Sequence, residues 1–273
     1  MTEQSQTGNS SQAKPRRTKE VVRHVHLERT RPKLSNYDEQ DNARKAKKAQ
    51  NRRSRAQSAS RGKKASASPA RRDSRAKLRI IPLGGLDAIG KNMTAFECGN
   101  DMVLDDAGLM FPDDNHPGID LILPDYSYVL ENAEKLRGII ITHGHEDHTG
   151  ALPYLLKDLD RKVPIYATKL TLGLIEGKLA EHKIKNAKLC EIKPGQSIKL
   201  GSITAEFFSV NHSIPDAVGV FFQSPAGNVL HTGDFKLDQS PIDGVHTDFG
   251  ALARFSKIGV DLMMSDSTNA SNP

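Results

Sequence analysis

Residues 139–156 read IIITHGHEDHTGALPYLL. An apolar run stops, the six residues HGHEDH carry three histidines, a glutamate and an aspartate, and a helix-like pattern follows. LRGIIIT (136–142) has the continuous apolar character of a strand covered on both faces. GALPYLLKDL (150–159) has the pattern of a short helix. His143, His145, Asp147 and His148 therefore form H-x-H-x-D-H at a strand-to-helix turn. In an extended chain, side chains two apart point the same way, so His143 and His145 can approach one ion together. The turn into the helix re-aims Asp147 and His148 toward a second. Zinc takes imidazole nitrogen and carboxylate oxygen at about 2.0–2.2 Å, usually from four donors. Two-metal hydrolase sites hold their ions about 3.5–4 Å apart. A solvated polar loop has no need of this spacing in this setting. Glu146, between the ligand positions, is expected to face solvent or support the site from outside.

Four donors cannot fill two sites. His212, in SVNHSIPD, follows an expected strand, and Asp234, in VLHTGDFK, ends one. A carboxylate has two oxygens, so Asp234 can bridge two ions. Either residue alone would be an ordinary loop residue; HGHEDH makes both candidates. His24, His26, His116, His182 and His246 receive no ligand role, and His231 is at most a support for the site.

Outward from the motif, strands dominate. LRIIPLGG reads as a strand running into a glycine turn, and NMTAFEC and MVLDD as a hairpin about Gly99-Asn100. VPIYA, AKLCEI, ITAEFFSV, AVGVFFQS, NVLHTGD and VDLMMSD read as further strands. TKLTLGLIEGKLAEHK reads as a second helix with Leu170, Leu174 and Ile175 on one side. Many strands with helices interspersed predict an α+β arrangement of two sheets covered by helices.

Residues 1–76 differ in kind. ARKAKKAQNRRSRAQSASRGKKASASPARR has no apolar side chain larger than alanine. Such a stretch cannot bury enough surface to offset its ordering entropy, so a disordered arm is expected. Residues 1–77 carry roughly +15 and the remainder roughly −9, within an overall +6. The arm suits sequence-blind phosphate binding through counterion release and lacks the interleaved aromatics of a stacking platform. Two cysteines, Cys98 and Cys190, cannot build a disulfide framework. The N-terminus has no apolar signal core, and no apolar run reaches the roughly 18 residues of a membrane span. A soluble cytoplasmic protein without membrane partners is expected.

THGHEDH, a later histidine and a TGD aspartate resemble the metallo-β-lactamase superfamily. PLGGLDAIGKNMT (82–94), GLMFPDDNHPGIDLILPDYSYV (108–129), HSIPDAVG (212–219), TGDFKLD (232–238) and SDSTNA (265–270) resemble, in order, segments of the bacterial ribonuclease J family. The resemblance implies a metallo-β-lactamase αββα sandwich over residues 77–273. It is incomplete, because the family's β-CASP and C-terminal domains find no counterpart in these residues. It implies two zinc ions, with manganese as the alternative. His143, His145 and His212 would hold one, Asp147 and His148 the other, and Asp234 would bridge. Asp106 would support the site from behind. Asp266 would lie near the scissile phosphate, in proton transfer or metal support, which with Asp147 makes it a candidate catalytic residue. The implied activity is hydrolysis of RNA from the 5′ end and internally, in mRNA decay and rRNA maturation. The implied full-length assembly is a homo-oligomer, dimer or tetramer. Asp87-Ala88 and Asp105 depart from the family's pattern, and Asp105 leaves the register of Asp105 against Asp106 open. The alternatives are another hydrolase of the fold, acting on a thioester or lactone, and an inactive RNA-associating fragment.

Overall fold

The computed structural model describes residues 76–185, 187–268 and 270. The arm expected over residues 1–76 lies, apart from Ala76, outside the described residues.

Two sheets form the frame. The first contains β1 (Leu78–Gly84), β2 (Met93–Cys98), β3 (Asp101–Asp105), β4 (Leu136–Ile140), β5 (Pro164–Ala167) and β6 (Lys188–Glu191), side by side in that order. β1, β2 and β3 are antiparallel neighbours, and β3 to β6 run parallel. The second has the order β11 (Leu262–Met264), β10 (Gly227–His231), β9 (Val218–Ser224), β8 (Ile203–Ser209), β7 (Ser197–Leu200). Its pairs are antiparallel except β10 with β11. The helices are α1 (Ser127–Glu131), α2 (Glu146–Thr149), α3 (Leu152–Asp158), α4 (Lys169–Glu181) and α5 (Phe249–Ile258).

Three apolar layers hold these elements. Phe96, Val103 and Ile140 of the first sheet face Phe207, Val220, Phe222 and Val229 of the second. The Phe96 and Phe222 rings stack at 4.2 Å across that seam. Leu104, Ile139 and Ile165 instead pack with Leu152 and Leu155 of α3 and Ile175 and Leu179 of α4. Phe208, Phe221 and Leu230 pack with Ala251 and Phe255 of α5. Successive strand side chains alternate between faces, which is why Phe207 lies in the seam while Phe208 meets α5. The αββα sandwich expected from the sequence is the observed fold.

Three details differ from the sequence reading. The buried side of α4 is Thr171, Ile175 and Leu179, while Leu170 and Leu174 are exposed; the four-residue stripe i, i+4, i+8 wins over the leucines beside it. β7, with SIKL, is an edge strand too short and too polar to stand out. α5 and the short α1 have no counterpart in the sequence reading; Asp248 caps α5, its side chain accepting from Ala251 N–H at 2.8 Å.

Replacing Phe222 with Ala removes the stacked ring from the inter-sheet seam. Urea unfolding with metal removed by chelator should show a loss of about 3–5 kcal/mol. Leu174→Ser, on the exposed side of α4, should cost less than about 1 kcal/mol.

Candidate metal centre

The H-x-H-x-D-H segment leaves the end of β4 and forms the single turn α2. A four-residue helix satisfies few of its own backbone groups. Its carbonyls are taken from outside. Asn92 N–H donates to Asp147 O at 3.0 Å, Ala107 N–H to His148 O at 2.9 Å, and Leu109 N–H to Glu146 O at 3.1 Å. Gly108 lies against this turn so closely that a Cβ there would sit 1.5 Å from Asp147 O. The segment after β3 thus grips the ligand turn by its backbone.

Asp106 directs the turn's side chains. It takes φ +60°, a left-handed conformation in which Asp is among the more tolerated residues. Its Oδ1 accepts from Thr142 N–H at 2.8 Å, and its Oδ2 lies 2.7 Å from His148 Nδ1. His148 Nε2 lies 3.0 Å from Asn92 Nδ2, 3.3 Å from Asp234 Oδ1 and 3.5 Å from Asp147 Oδ2. This resolves the register: Asp106 is the carboxylate behind the site.

His143 Nε2 lies 3.0 Å from His145 Nδ1, and His212 Nε2 lies 3.2 Å from the same atom. Asp234 Oδ2 lies 3.6 Å from His212 Nε2. Two groups of donor atoms result, each within 4.8 Å: His143, His145 and His212, and His143, Asp147 and His148. Asp234 reaches a member of each through different oxygens. All six residues singled out in the sequence therefore meet at one place, and His143 borders both groups.

The donor set fits divalent ions. Burial, then the neighbouring His148 charge, lowers His143 to about 2, so its ring is neutral with a lone pair available. Burial also lowers His212. Burial alone would raise Asp147 and Asp234, but hydrogen bonding to His148 and its charge hold both below the usual carboxylate value, so both stay anionic. Burial opposes a charge on His148, yet Asp106 outweighs it and raises the ring well above its ordinary value. Imidazoles beside carboxylates are donors that suit a borderline divalent cation, and a cation at His148 Nε2 takes the place of the proton held there.

Glu146 points away and pairs with Lys178 of α4. Asp266 stands near enough to His212 to favour its charged form; its Oδ1 accepts from Thr268 N–H and Oγ1 at 2.9 and 2.7 Å, and its backbone N–H reaches Thr232 Oγ1 at 3.1 Å. It shares with Asp147, His148 and Asp234 the wall of a cavity of about 620 Å³, lined also by residues 84–90 and 263–268. Sequence reasoning missed Asn92, Thr142 and Asn211. Asn211 fixes the His212 loop by accepting from Thr247 N–H at 3.0 Å and from Lys236 N–H at 2.7 Å. Each of the three adjoins a strand end or a ligand, the one signal available for them.

Gly108→Ala forces the ligand turn away from the loop that grips it. Bound divalent metal, read by elemental analysis, should fall below that of the parent chain, with a stability loss of about 1–3 kcal/mol in chelator.

Comparisons place this geometry among known proteins. A family described as Beta-lactamase superfamily domain matches residues 116–267. "Ribonuclease J" of Corynebacterium glutamicum is 48% identical over 196 residues, covering 72% of this chain and 27% of that protein. "Ribonuclease J" of Mycolicibacterium smegmatis is 44% identical over 196 residues, covering 72% and 35%. "Ribonuclease J" of Thermus thermophilus is 44% identical over 202 residues, covering 72% and 35%. The chain thus spans about a quarter to a third of the length of these relatives. A solved protein of unknown function from Enterococcus faecalis V583 shares the fold at TM-score 0.53 and 19% identity, covering 72% of this chain and 51% of that one. A two-sheet sandwich with a histidine–aspartate centre at its mouth, matched along its length in this way, belongs to the β-lactamase superfamily, and within it to the ribonuclease J family as an N-terminal portion.

Proposed function

We propose that this chain is the metal-holding part of a zinc-dependent ribonuclease that hydrolyses RNA phosphodiesters from the 5′ end and internally, in mRNA decay and rRNA maturation. The observation that carries this reading is the overlap of the two donor groups, with His143 in both and Asp234 reaching both. The names of the relatives supply the substrate class. Residues 77–273 are then the first part of a metallo-β-lactamase domain, with β-CASP and C-terminal domains and homo-oligomer contacts belonging to the longer protein. Two zinc ions are the proposed occupants, and nitrogen and oxygen donors without thiolate also suit manganese.

A divalent pair supplies, when bound, a water of pKa near about 7 and positive charge for the phosphoryl oxygens. The chain's own residues do the rest. His143, His145 and His212 present their rings on one side, and Asp147 and His148 stand on the other. Asp106 holds the His148 Nδ1 proton and so turns Nε2 toward the cavity. Asp234 ties the sides together. The cavity of about 620 Å³ receives the scissile phosphate. Asp266, on its wall, is the proposed carrier of a proton to the leaving oxygen, with Thr268 fixing its Oδ1.

Asp234→Ala, made in the full-length protein, should reduce bound zinc and lower hydrolysis of a single-stranded RNA by at least on the order of 100-fold. Unchanged zinc content and unchanged hydrolysis together overturn the assignment. Removing residues 1–76 should weaken RNA binding and flatten its dependence on salt, read from Kd between about 50 and 200 mM salt.

A further inference from the structure

The rows of side chains between the sheets end in charge at the site. On β3, alternation puts Val103 and Asp105 on the same face, and Val103 lies in the inter-sheet core. On β10, Val229 lies in that core and His231 shares its face two residues on. Asp105 Oδ2 and His231 Nδ1 meet at 2.6 Å across the seam, the Asp105 side chain fully buried and that of His231 mostly so. The contact lies off the hydrogen-bond line, and among the described residues neither Asp105 oxygen receives a hydrogen bond. Burial pushes the Asp105 carboxyl up, and the Asp105 charge outweighs burial to raise His231. A buried charged pair of this kind adds little stability over two apolar residues that would continue the rows.

Its position suggests what it does instead. His231 is the last residue of β10, and Thr232-Gly233-Asp234 follow at once. The backbone hydrogen bond of that loop runs within its own sheet, from Thr232 N–H to Met264 O at 3.0 Å. Asp234 must nevertheless meet His148, which is carried by the first sheet. Asp105 is fixed to that same sheet and adjoins Asp106, which orients His148. We propose that Asp105 and His231 are positioning residues, a cross-sheet strut that sets the Asp234 loop against the Asp106–His148 pair. This rests on the metal-centre reading above. Asp105 acts through its neighbour Asp106, and His231 through the Thr232-Gly233 link that leads to Asp234.

Metal affinity is the readout, taken by competition of zinc against a chromophoric chelator, with cobalt absorption spectra as a report on geometry. The parent chain, His231→Leu, Asp105→Leu and the double variant Asp105→Leu/His231→Leu are compared, each with its Tm in chelator. The single variants should lose Tm, because each leaves one polar partner buried alone. The double variant should regain most of that Tm, yet bind the weaker zinc equivalent about 10-fold or more less tightly and show an altered cobalt spectrum. A double variant with parent-like Tm, zinc affinity and cobalt spectrum overturns the strut. A parent chain that binds no zinc overturns the metal-centre reading itself, and the strut with it.

Discussion

The grip of residues 92 and 107–109 on the carbonyls of α2 is the constraint from which the rest of the site follows. Helix nucleation is unfavourable, and one turn gains too few bonds to offset it. The turn stands because Asn92, Ala107 and Leu109 donate to its carbonyls. Those donors belong to the edges of β2 and β3, so the conformation of Asp147 and His148 is set by a sheet rather than by their own helix. The absent side chain at Gly108 is the counterpart of this grip, because backbone must approach backbone there.

A second constraint is electrostatic. Four imidazoles and two carboxylates crowd a partly buried mouth, and their charge states depend on one another. The chain fixes His148 by placing Asp106 behind it, and His148 in turn holds Asp147 and Asp234 anionic. His143, with no carboxylate behind it, is kept neutral by burial. The consecutive residues Asp105 and Asp106 diverge to serve opposite sheets, one meeting His231 and the other His148. Strand alternation and the left-handed backbone at Asp106 make that divergence possible.

What the sequence made legible divides along local and non-local lines. β1, the hairpin β2–β3, β4, α3, α4, β5, β6 and β8 to β11 announce themselves through apolar runs and turn residues. The six candidate donors were legible because two-residue spacing at a strand end has few other uses. β7 was not, since four residues SIKL take their place from pairing with β8. Nor was the buried face of α4, since leucines at 170 and 174 are as apolar as the residues that pack, and only the neighbouring sheet decides. Asn92 and Thr142 lie inside the segments that resemble the family and Asn211 directly before one, but no role can be read from any of the three until distant backbone has been brought beside it. Asp105 stood out as a departure from the family's pattern, and its partner His231, 126 positions later in the chain, became visible only across the seam.

That separation bears on how the centre is assembled. His143, His145, Asp147 and His148 come from the end of β4 and α2, whereas His212 and Asp234 come from loops after β8 and β10. Neither sheet alone offers both donor groups their bridge. The centre therefore exists only when the seam lined by Phe96, Phe207 and Phe222 is closed, and ion binding is coupled to the packing of one sheet on the other. Affinity for the ions then depends on how well the seam fixes the distance between His148 and Asp234. Apolar contacts are tolerant of small slides, since dispersion falls off gradually and carries no direction. A charged contact at the site end of the same seam is less tolerant, which gives the buried pair there a use that stability alone does not.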